Sequence, residues 1–210
     1  MANVLLGVTG SVAAVRVPRL VEALSAAGHA VQVVITEPAT YFVEVAAIPA
    51  RVIRDADEWP GDRYQRGDPV VHIELRNWAE VFVLAPLDAN TLAKLAVGLC
   101  DNCLTCVWRA WDPRKPVVLA PAMNTLMWQH PFTRRHLKAI ALDAGAAHLP
   151  LHLDDAQLIA QINDRSPTLR IVAPVVKPLA CGEVGIGALA EVPDIVAAVH
   201  DLLQRSAQPG

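Results

Sequence analysis

The sequence predicts an α/β fold in which a parallel sheet is covered by helices. Short apolar segments rich in β-branched residues alternate along the chain with longer segments that have the period of a helix. The short segments are apolar at both parities and end at Gly, Pro, Asp or Ala, which is typical of strands buried on both faces. Their sequences are NVLLGVTG, AVQVVITE, AEVFVLAP, KPVVLAPA and LRIVAPVV. In such folds, ligands bind at the carboxyl ends of the strands.

Helical periodicity appears in three segments between these strands. They are VPRLVEALSAAG, DANTLAKLAVGL and FTRRHLKAIALDAG, and the first and last end in Gly, the residue that commonly closes a helix. The segment VPDIVAAVHDLLQRS predicts a final amphipathic helix. Residues 54–69 are polar and rich in Pro, Gly and charge, so we expect a surface excursion there.

Composition limits the class of protein. The 210 residues fit one domain, 1–210, and the balance of 53% hydrophobic to 19% charged residues argues against disorder and favours an oligomer with extra buried surface. The net charge is −3 and no Lys/Arg run occurs, so we expect no nucleic-acid partner. The apolar N-terminus lacks a basic leader and a full membrane span, which predicts a soluble cytoplasmic protein with no membrane partner.

Three of the four cysteines, Cys100, Cys103 and Cys106, form a C-x-x-C-x-x-C run. This spacing resembles part of an iron–sulfur ligand set. No fourth cysteine follows nearby, and the surrounding segment has the pattern of a helix and a turn. We therefore expect small packed thiols and no metal site.

The first strand ends in the loop GVTGSVAA, which contains Thr9, Gly10 and Ser11. Amides and hydroxyls at a helix start can bind a phosphate, although a plain strand-to-helix turn has the same pattern. The spacing is not G-x-G-x-x-G, so a Rossmann dinucleotide site is not indicated. Thr36, at the end of the second strand, brings another hydroxyl to the same edge.

The segment APLDANTLAKLAVGLCDN places Asp88, Asn90 and Thr91 between a buried strand and a helix. One of them would serve as an ordinary helix N-cap in any protein. The loop offers more polar side chains than a cap needs, which favours a binding role.

Five blocks of this chain resemble the flavin-containing cysteine decarboxylases. They are GVTGSVAA, HIELRNWAE, APLDANTLAKLAVGLCDN, PAMNTLMW and LACGEVGIGALAE, in the order and approximate spacing of that family. The family includes phosphopantothenoylcysteine decarboxylase-like flavoproteins and, as more distant relatives, the lantibiotic peptidyl-cysteine decarboxylases. The resemblance covers nearly the whole chain.

The resemblance implies a flavodoxin-like (Rossmann-type) three-layer sandwich with a parallel sheet, assembled as a trimer or as four trimers (a dodecamer), with FMN at a subunit boundary. It implies that Gly10, Ser11 and Thr36 hold the FMN phosphate. It also implies that the flavin contacts Leu87, Asp88, Ala89, Asn90, Thr91, Ala122 and Met123.

The resemblance gives three residues catalytic roles. His72 would take a thiol proton or steer a carboxylate, although a lone His beside valines is more often a packed core residue. Asn124 would orient the substrate carboxylate in a pocket with Met127, unless it only bridges loop backbones. Cys181 would act as the acid, in a Gly-rich flap at residues 181–190, unless it is simply packed in a loop.

Two departures from the family pattern bear on the substrate. Asn77 stands where the coenzyme A enzymes carry an Arg, which removes a partner for an anionic group. Residues 151–174 also exceed the family's usual connection, so residues 151–180 could clamp a peptide by strand pairing, with Asn77 in the substrate site.

These departures favour FMN-dependent oxidative decarboxylation of a peptide's C-terminal cysteine to an aminoenethiol. The alternative is decarboxylation of phosphopantothenoylcysteine to 4'-phosphopantetheine in coenzyme A biosynthesis, which retention of the ACG block supports. A third hypothesis is a non-catalytic regulatory flavoprotein.

Overall fold

A computed structural model describes residues 1–150, 152–178, 182 and 184–206. Its centre is a six-stranded sheet in which every pairing is parallel. The strands are β1 (Asn3–Val8), β2 (Ala30–Ile35), β3 (Arg51–Ile53), β4 (Val81–Leu87), β5 (Val117–Pro121) and β6 (Leu169–Ile171). Every strand segment that the sequence predicts is present, and β3 is an addition. The order β3-β2-β1-β4-β5-β6 reverses direction between β1 and β4, which is where such sheets bind ligands.

Helices lie on both faces of this sheet. They are α1 (Val17–Ala26), α2 (Asp55–Glu58), α3 (Val71–Trp78), α4 (Ala89–Val97), α5 (Cys103–Arg109), α6 (Thr125–Gln129), α7 (Pro131–Asp143), α8 (Asp155–Arg165) and α9 (Val192–Ser206). Three short 3-10 turns, Val12–Arg16, Glu37–Tyr41 and Val45–Ala47, lie among the loops. Across the described ranges, no helix has both the length and the apolar character needed to cross a membrane.

Two separate apolar cores show the three-layer arrangement. On β1, Leu5 joins the core formed with α3, α4, α5, α7 and α8, while its neighbours Val4 and Leu6 join the core formed with α1 and α9. Successive strand residues point to opposite faces, so strands covered on both sides must be apolar at both parities. The predicted flavodoxin-like three-layer fold is confirmed.

Two stretches have more structure than their composition suggests. Residues 151–174 contain α8, which buries Leu158 and Ile162, and β6, which pairs with β5 at the edge of the main sheet. Within residues 54–69, positions 59–67 are exposed, but α2 buries the carboxylate side chain of Glu58.

A small antiparallel hairpin completes the described structure. It pairs β7 (Val175–Pro178) with β8 (Val184–Ala188) and is separate from the main sheet. The hairpin lies against the loop after β5, where the Met123 N–H donates a hydrogen bond to the Gly187 carbonyl (2.9 Å).

Candidate active site

Thr9 joins the loops that follow β1 and β4. Its side chain is fully buried, and its hydroxyl donates to the Pro86 carbonyl (2.9 Å) and accepts from the Asp88 N–H (2.7 Å). The two loops are thereby fixed to each other at the point where the strand order reverses. A ligand at this edge would meet a surface that is already formed.

Gly10 lies where three loops approach one another. A Cβ atom at this position would lie 2.8 Å from Pro38 Cβ, in the loop after β2, and 3.4 Å from Asp88 Oδ2, in the loop after β4. The absence of a side chain is therefore needed for close packing. The next residue, Ser11, caps the Val12–Arg16 turn by accepting from the Ala13 N–H (3.3 Å).

These loops line a cavity of about 720 Å³. Its volume is within the roughly 300–1,000 Å³ typical of small-molecule sites. The predicted site residues that line it are Gly10, Ser11, Asp88, Ala89, Asn90, Ala122, Met123, Asn124 and Met127. Most of the residues predicted to contact cofactor or substrate thus share one cavity.

Three predicted cofactor residues lie outside the lining of this cavity. Leu87 and Thr91 are buried, with exposures of 0% and 2%, so their side chains pack inside the protein and do not face the cavity. Thr36 is also buried, at the carboxyl end of β2, and within the described structure its Oγ1 has no hydrogen-bond partner. An unpaired buried hydroxyl is costly, so the Thr36 side chain suits an oxygen-rich ligand group such as a phosphate.

The amide of Asn124 is positioned by the start of a helix. Its Oδ1 accepts from the Leu126 N–H (2.9 Å) and caps α6. The preceding residues hold the segment from both sides: the Ala122 N–H donates to the Leu87 carbonyl (2.9 Å), and Met123 pairs with Gly187. Asn124 therefore has a defined position at the cavity wall, and Met127 next to it is about half exposed.

The β7–β8 hairpin contributes Lys177, Pro178, Gly187 and Ala188 to the cavity lining. Two glycines of β8 permit its close approach. A Cβ atom at Gly185 or at Gly187 would lie under 3.0 Å from Thr125 or from the Met123 carbonyl, respectively. Cys181, the predicted acid, lies outside the described residues.

Charged residues at the cavity were missed by the sequence reasoning. Arg16 forms an ion pair with Glu191 (2.7 Å) and donates to the Leu189 carbonyl (3.2 Å), while Lys177 pairs with the same carboxylate. Hydrogen bonds from Lys177 and Arg16 lower the pKa of Glu191. Arg19 also lines the cavity. The available sequence signal was the spacing of Arg16 and Arg19 by one helical turn directly after the GVTGSVAA loop.

His72 lies in the first turn of α3, and neither it nor Asn77 lines the cavity. The His72 Nδ1 atom is 2.5 Å from Glu58 Oε1, and its backbone N–H donates to Glu58 Oε2 (2.7 Å). Asn77 is exposed near the end of the same helix, and its Oδ1 accepts from Arg76 Nη2 (3.0 Å). Within a single chain, Asn124 therefore lines the same cavity as the predicted flavin loops. His72 and Asn77 lie on α3, outside that cavity.

The three clustered cysteines differ in exposure. Cys103 is buried, Cys106 is half-buried and Cys100 is exposed. Burial raises the pKa of Cys106 to about 11 and that of Cys103 still further, so both remain protonated thiols near neutral pH. Among the described residues, no group of three or more His, Cys, Asp or Glu side chains is arranged to hold a metal ion.

A protein-family model described as Flavoprotein matches residues 1–204. The chain belongs to the Flavoprotein family. It is 45% identical over 204 residues to the phosphopantothenoylcysteine decarboxylase of Mus musculus, covering 97% of this chain and 88% of that protein. It is also 44% identical over 191 residues to the phosphopantothenoylcysteine decarboxylase of Oryza sativa, covering 90% of this chain and 75% of the relative.

The chain is also similar to solved structures. One is a PPC decarboxylase cysteine-to-serine mutant complexed with pantothenoylaminoethenethiol, with a TM-score of 0.79 and 40% identity over 97% of this chain and 98% of that one. Another is the FMN-binding protein AtHal3, with a TM-score of 0.77 and 40% identity over 100% and 99% of the two chains. The predicted family, the FMN cofactor and the class of FMN-dependent cysteine decarboxylase are confirmed.

Proposed function

We propose that this protein uses FMN to decarboxylate phosphopantothenoylcysteine to 4'-phosphopantetheine, a step of coenzyme A biosynthesis. The observation that carries the proposal is near-full-length identity of 45% to a protein of that name, in a chain whose cavity joins the predicted flavin loops to Asn124. This reaction is the alternative that the sequence left open, and it now has more support than the peptide reaction.

The fold of residues 151–174 supports the same choice. Their length was the main reason to expect a peptide clamp. In the structure, α8 and β6 use this stretch to build the core and the sheet edge. The extra length therefore has a structural explanation that needs no peptide.

The residues present fit FMN. Gly10 and Ser11 would lie at its phosphate with Thr36, whose buried hydroxyl lacks a partner among the described residues. Ala122 and Met123 supply apolar surface for the ring system. Bound FMN supplies hydride removal from the carbon that carries sulfur, and the later return of that hydride.

The protein's own groups would bind the substrate and move its protons. The Asn124 amide, held at the start of α6, would orient the substrate carboxylate. A neutral donor suits this task, because an ion pair would stabilise the carboxylate against loss of carbon dioxide. His72 would accept the thiol proton, and Cys181 would donate a proton when the enethiol is reduced to the product thiol.

A site shared between copies of this chain explains the position of His72. The His72 side chain lies outside the cavity of its own chain, so we propose that α3 of a neighbouring subunit brings it to Asn124. Exposed apolar side chains at the cavity, Val12, Val15 and Met127, offer surface for such a contact. We propose a homotrimer, or a dodecamer of four trimers, in the cytoplasm.

A second candidate function is oxidative decarboxylation of a peptide that ends in cysteine. The observation that favours it is the β7–β8 hairpin, because in the described structure each of these strands has only the other as a partner. An unpaired strand edge can bind an extended peptide through its backbone. The hairpin, rather than α8 or β6, would be the clamp in this case.

The two reactions differ in their products. The purified FMN-loaded protein should convert phosphopantothenoylcysteine to phosphopantetheine, with loss of carbon dioxide alone, while leaving a cysteine-terminated peptide unchanged. Mass spectrometry of both reactions distinguishes the candidates. Loss of carbon dioxide and two hydrogens from the peptide, with no reaction of the pantothenoyl compound, would reverse the assignment. Binding of both compounds without turnover would favour the regulatory flavoprotein.

Cys181→Ser tests the reductive half of the proposed reaction. The variant should release carbon dioxide but accumulate the oxidised enethiol, because the proton donor for the final reduction is lost. Mass spectrometry again gives the readout. Formation of the same saturated thiol by the variant and the wild type would remove Cys181 from the mechanism.

A further inference from the structure

Glu58 is a buried carboxylate that the sequence places in an otherwise exposed segment. The residue is 9% exposed and ends the short helix α2. This helix is held at both ends of its first turn: Asp57 accepts from the Arg54 N–H (2.7 Å), and Asp55 accepts from the Cys103 N–H at the start of α5 (2.8 Å). The backbone around Glu58 is therefore fixed before its side chain makes any contact.

The Glu58 carboxylate contacts one residue in two ways. Its Oε2 accepts the His72 backbone N–H (2.7 Å), and its Oε1 is 2.5 Å from the His72 Nδ1 atom. These two contacts hold both the backbone and the ring of the same histidine. Cys103 supplies a further donor, because its thiol lies 3.8 Å from Oε2.

This arrangement selects one form of the histidine ring. An ionised carboxylate only accepts hydrogen bonds, so the ring nitrogen facing Glu58 must carry the proton. In the neutral ring, Nε2 then has the free lone pair and is the atom able to accept a proton. The Cys103 thiol is a further donor that faces Glu58 Oε2 (3.8 Å), so the groups around this carboxylate are arranged to donate hydrogen bonds to it.

We propose that Glu58 is a positioning residue that holds His72 in the Nδ1–H tautomer, with Nε2 directed to proton exchange with the substrate. The inference rests on the proposed function, because it takes His72 as the acid–base group. A purely structural role for Glu58 is the competing explanation: its Oε2 would cap the first turn of α3, and the ring contact would be incidental. A carboxylate that orients a histidine contributes strongly to catalysis in other enzymes.

Glu58→Gln keeps the size of the side chain but removes its negative charge. It also replaces a group that only accepts hydrogen bonds with one that both donates and accepts them. The FMN-loaded variant should keep FMN affinity, melting temperature and KM close to wild-type values, while kcat falls by about 100-fold, the lower end of what general acid–base catalysis contributes. Glu58→Asp restores a carboxylate on a shorter side chain and should recover part of the lost kcat. Glu74→Gln is the matched control, since Glu74 is an exposed glutamate on α3, the helix that carries His72, and its kcat should equal that of the wild type.

The ¹⁵N chemical shifts of the imidazole ring report the tautomer directly. At a pH where the ring is neutral, His72 should be protonated at Nδ1 in the wild type and in Glu74→Gln, and should shift toward the Nε2–H form in Glu58→Gln. A loss of kcat with an unchanged tautomer would overturn the proposal in favour of the structural role. If Glu58→Gln does not fold, an Nε2–H tautomer in the wild type would overturn it alone.

The same experiment separates this inference from the proposed function. A wild-type protein that turns over neither substrate would contradict the proposed function. The ring measurement would still decide whether Glu58 sets the tautomer of His72. Conversely, the wild type could show the expected His72 tautomer while the His72→Asn variant keeps full activity. That outcome would exclude His72 from catalysis, and the proposed catalytic role of Glu58 would then be wrong.

Discussion

Among individual residues, single polar side chains in apolar surroundings indicate the candidate site. Asn124 lies in the apolar segment PAMNTLMW, where its Oδ1 caps α6 and its position at the cavity wall is fixed. Thr36 follows β2, and its buried hydroxyl has no hydrogen-bond partner in the described part of the chain. The first residue has both a structural and a proposed chemical role, whereas the second lacks a structural partner among the described residues.

Thr36→Val tests whether the buried hydroxyl serves the FMN phosphate. Valine has nearly the same shape but leaves no unpaired polar atom, so the apoprotein should be as stable as the wild type or more stable, by about 1 kcal/mol. FMN affinity should fall by about tenfold, which corresponds to the loss of roughly 1.4 kcal/mol of binding energy. Fluorescence titration with FMN and urea unfolding of the apoprotein measure the two effects. Thr36→Ser, which keeps the hydroxyl, is the control; equal FMN affinity in all three proteins would contradict the assignment.

At the scale of elements, the β7–β8 hairpin depends on glycine for its position. Gly187 has φ of 136°, and a Cβ atom there would collide with the Met123 carbonyl. The same residue accepts the hydrogen bond that joins the hairpin to the loop before Asn124. The wall of the cavity and its covering hairpin are thus linked through one backbone contact.

Gly187→Ala should displace the hairpin from the cavity. The clash and the unfavourable backbone angle together should cost about 1–3 kcal/mol, and turnover should fall because the cavity loses part of its wall. Thermal unfolding and kcat/KM provide the measurements. Gly28→Ala is a matched control, since Gly28 also has a positive φ of 88° but nothing lies within 4 Å of its missing Cβ, and it lies between α1 and β2, away from the cavity. A comparable loss of turnover in both variants would show that backbone strain alone is responsible.

A histidine pair joins α9 to the start of β2. The Nε2 atoms of His29 and His200 are 3.1 Å apart, and His29 is 8% exposed. Burial, followed by the repulsion of His200 and the N-terminal amine, lowers the pKa of His29 below 6.5, although Glu80 acts in the opposite direction. Two protonated rings cannot occupy this contact without repulsion.

Acid should therefore destabilise the fold through this pair. The unfolded chain takes up the His29 proton at a higher pH than the folded chain does, so the stabilisation is present above the unfolded pKa and is lost as the pH falls below about 6.5. The urea midpoint should decrease between about pH 7.5 and pH 5.5, and less so in His29→Gln. His136, whose pKa burial also lowers, accounts for a remaining slope in the variant. An identical pH dependence in both proteins would rule out the pair as its cause.

For the molecule as a whole, the proposed site would extend beyond one chain. The cavity contains Asn124 and most of the predicted flavin contacts, but His72 is on α3, with its ring against Glu58. If both residues act on one substrate, a second copy must bring α3 to the cavity. The proposed oligomer then follows from catalysis as well as from exposed apolar surface.

Hybrid oligomers test this arrangement. His72→Asn and Asn124→Ala should each be inactive alone, whereas co-expression of the two with different affinity tags should restore part of the wild-type kcat in tandem-purified hybrids. Some interfaces in a hybrid then combine an intact His72 from one chain with an intact Asn124 from the other. A site within one chain would give no recovery, because every chain carries one defect. The control is each variant co-expressed with two differently tagged copies of itself and purified in the same way.

Local sequence pattern is sufficient to predict the parallel sheet, the covering helices and the loops of the cavity. Strands buried on both faces must be apolar at both parities, and helix starts after strands place polar residues at one sheet edge, so these features follow from local pattern. Thr9, Asp88 and Asn124 could be found in this way because their chain neighbours define their positions. The resemblance of five sequence blocks added the flavin, the decarboxylase class and the proposed role of His72.

The interaction partners of the site residues, in contrast, depend on how distant segments pack together. Glu58 stands in a polar, charged segment that local pattern assigns to the surface, and it is buried because α2 docks on α5 and meets α3 across the fold. The ion pairs of Arg16 and Lys177 with Glu191 likewise join residues far apart in the chain. Residues 151–174 end in a strand-like pattern, but whether they pack on the sheet or extend as a clamp depends on apolar contacts with α7 and β5. Contacts between distant segments carry no periodicity, and for that reason they become visible only in the folded chain.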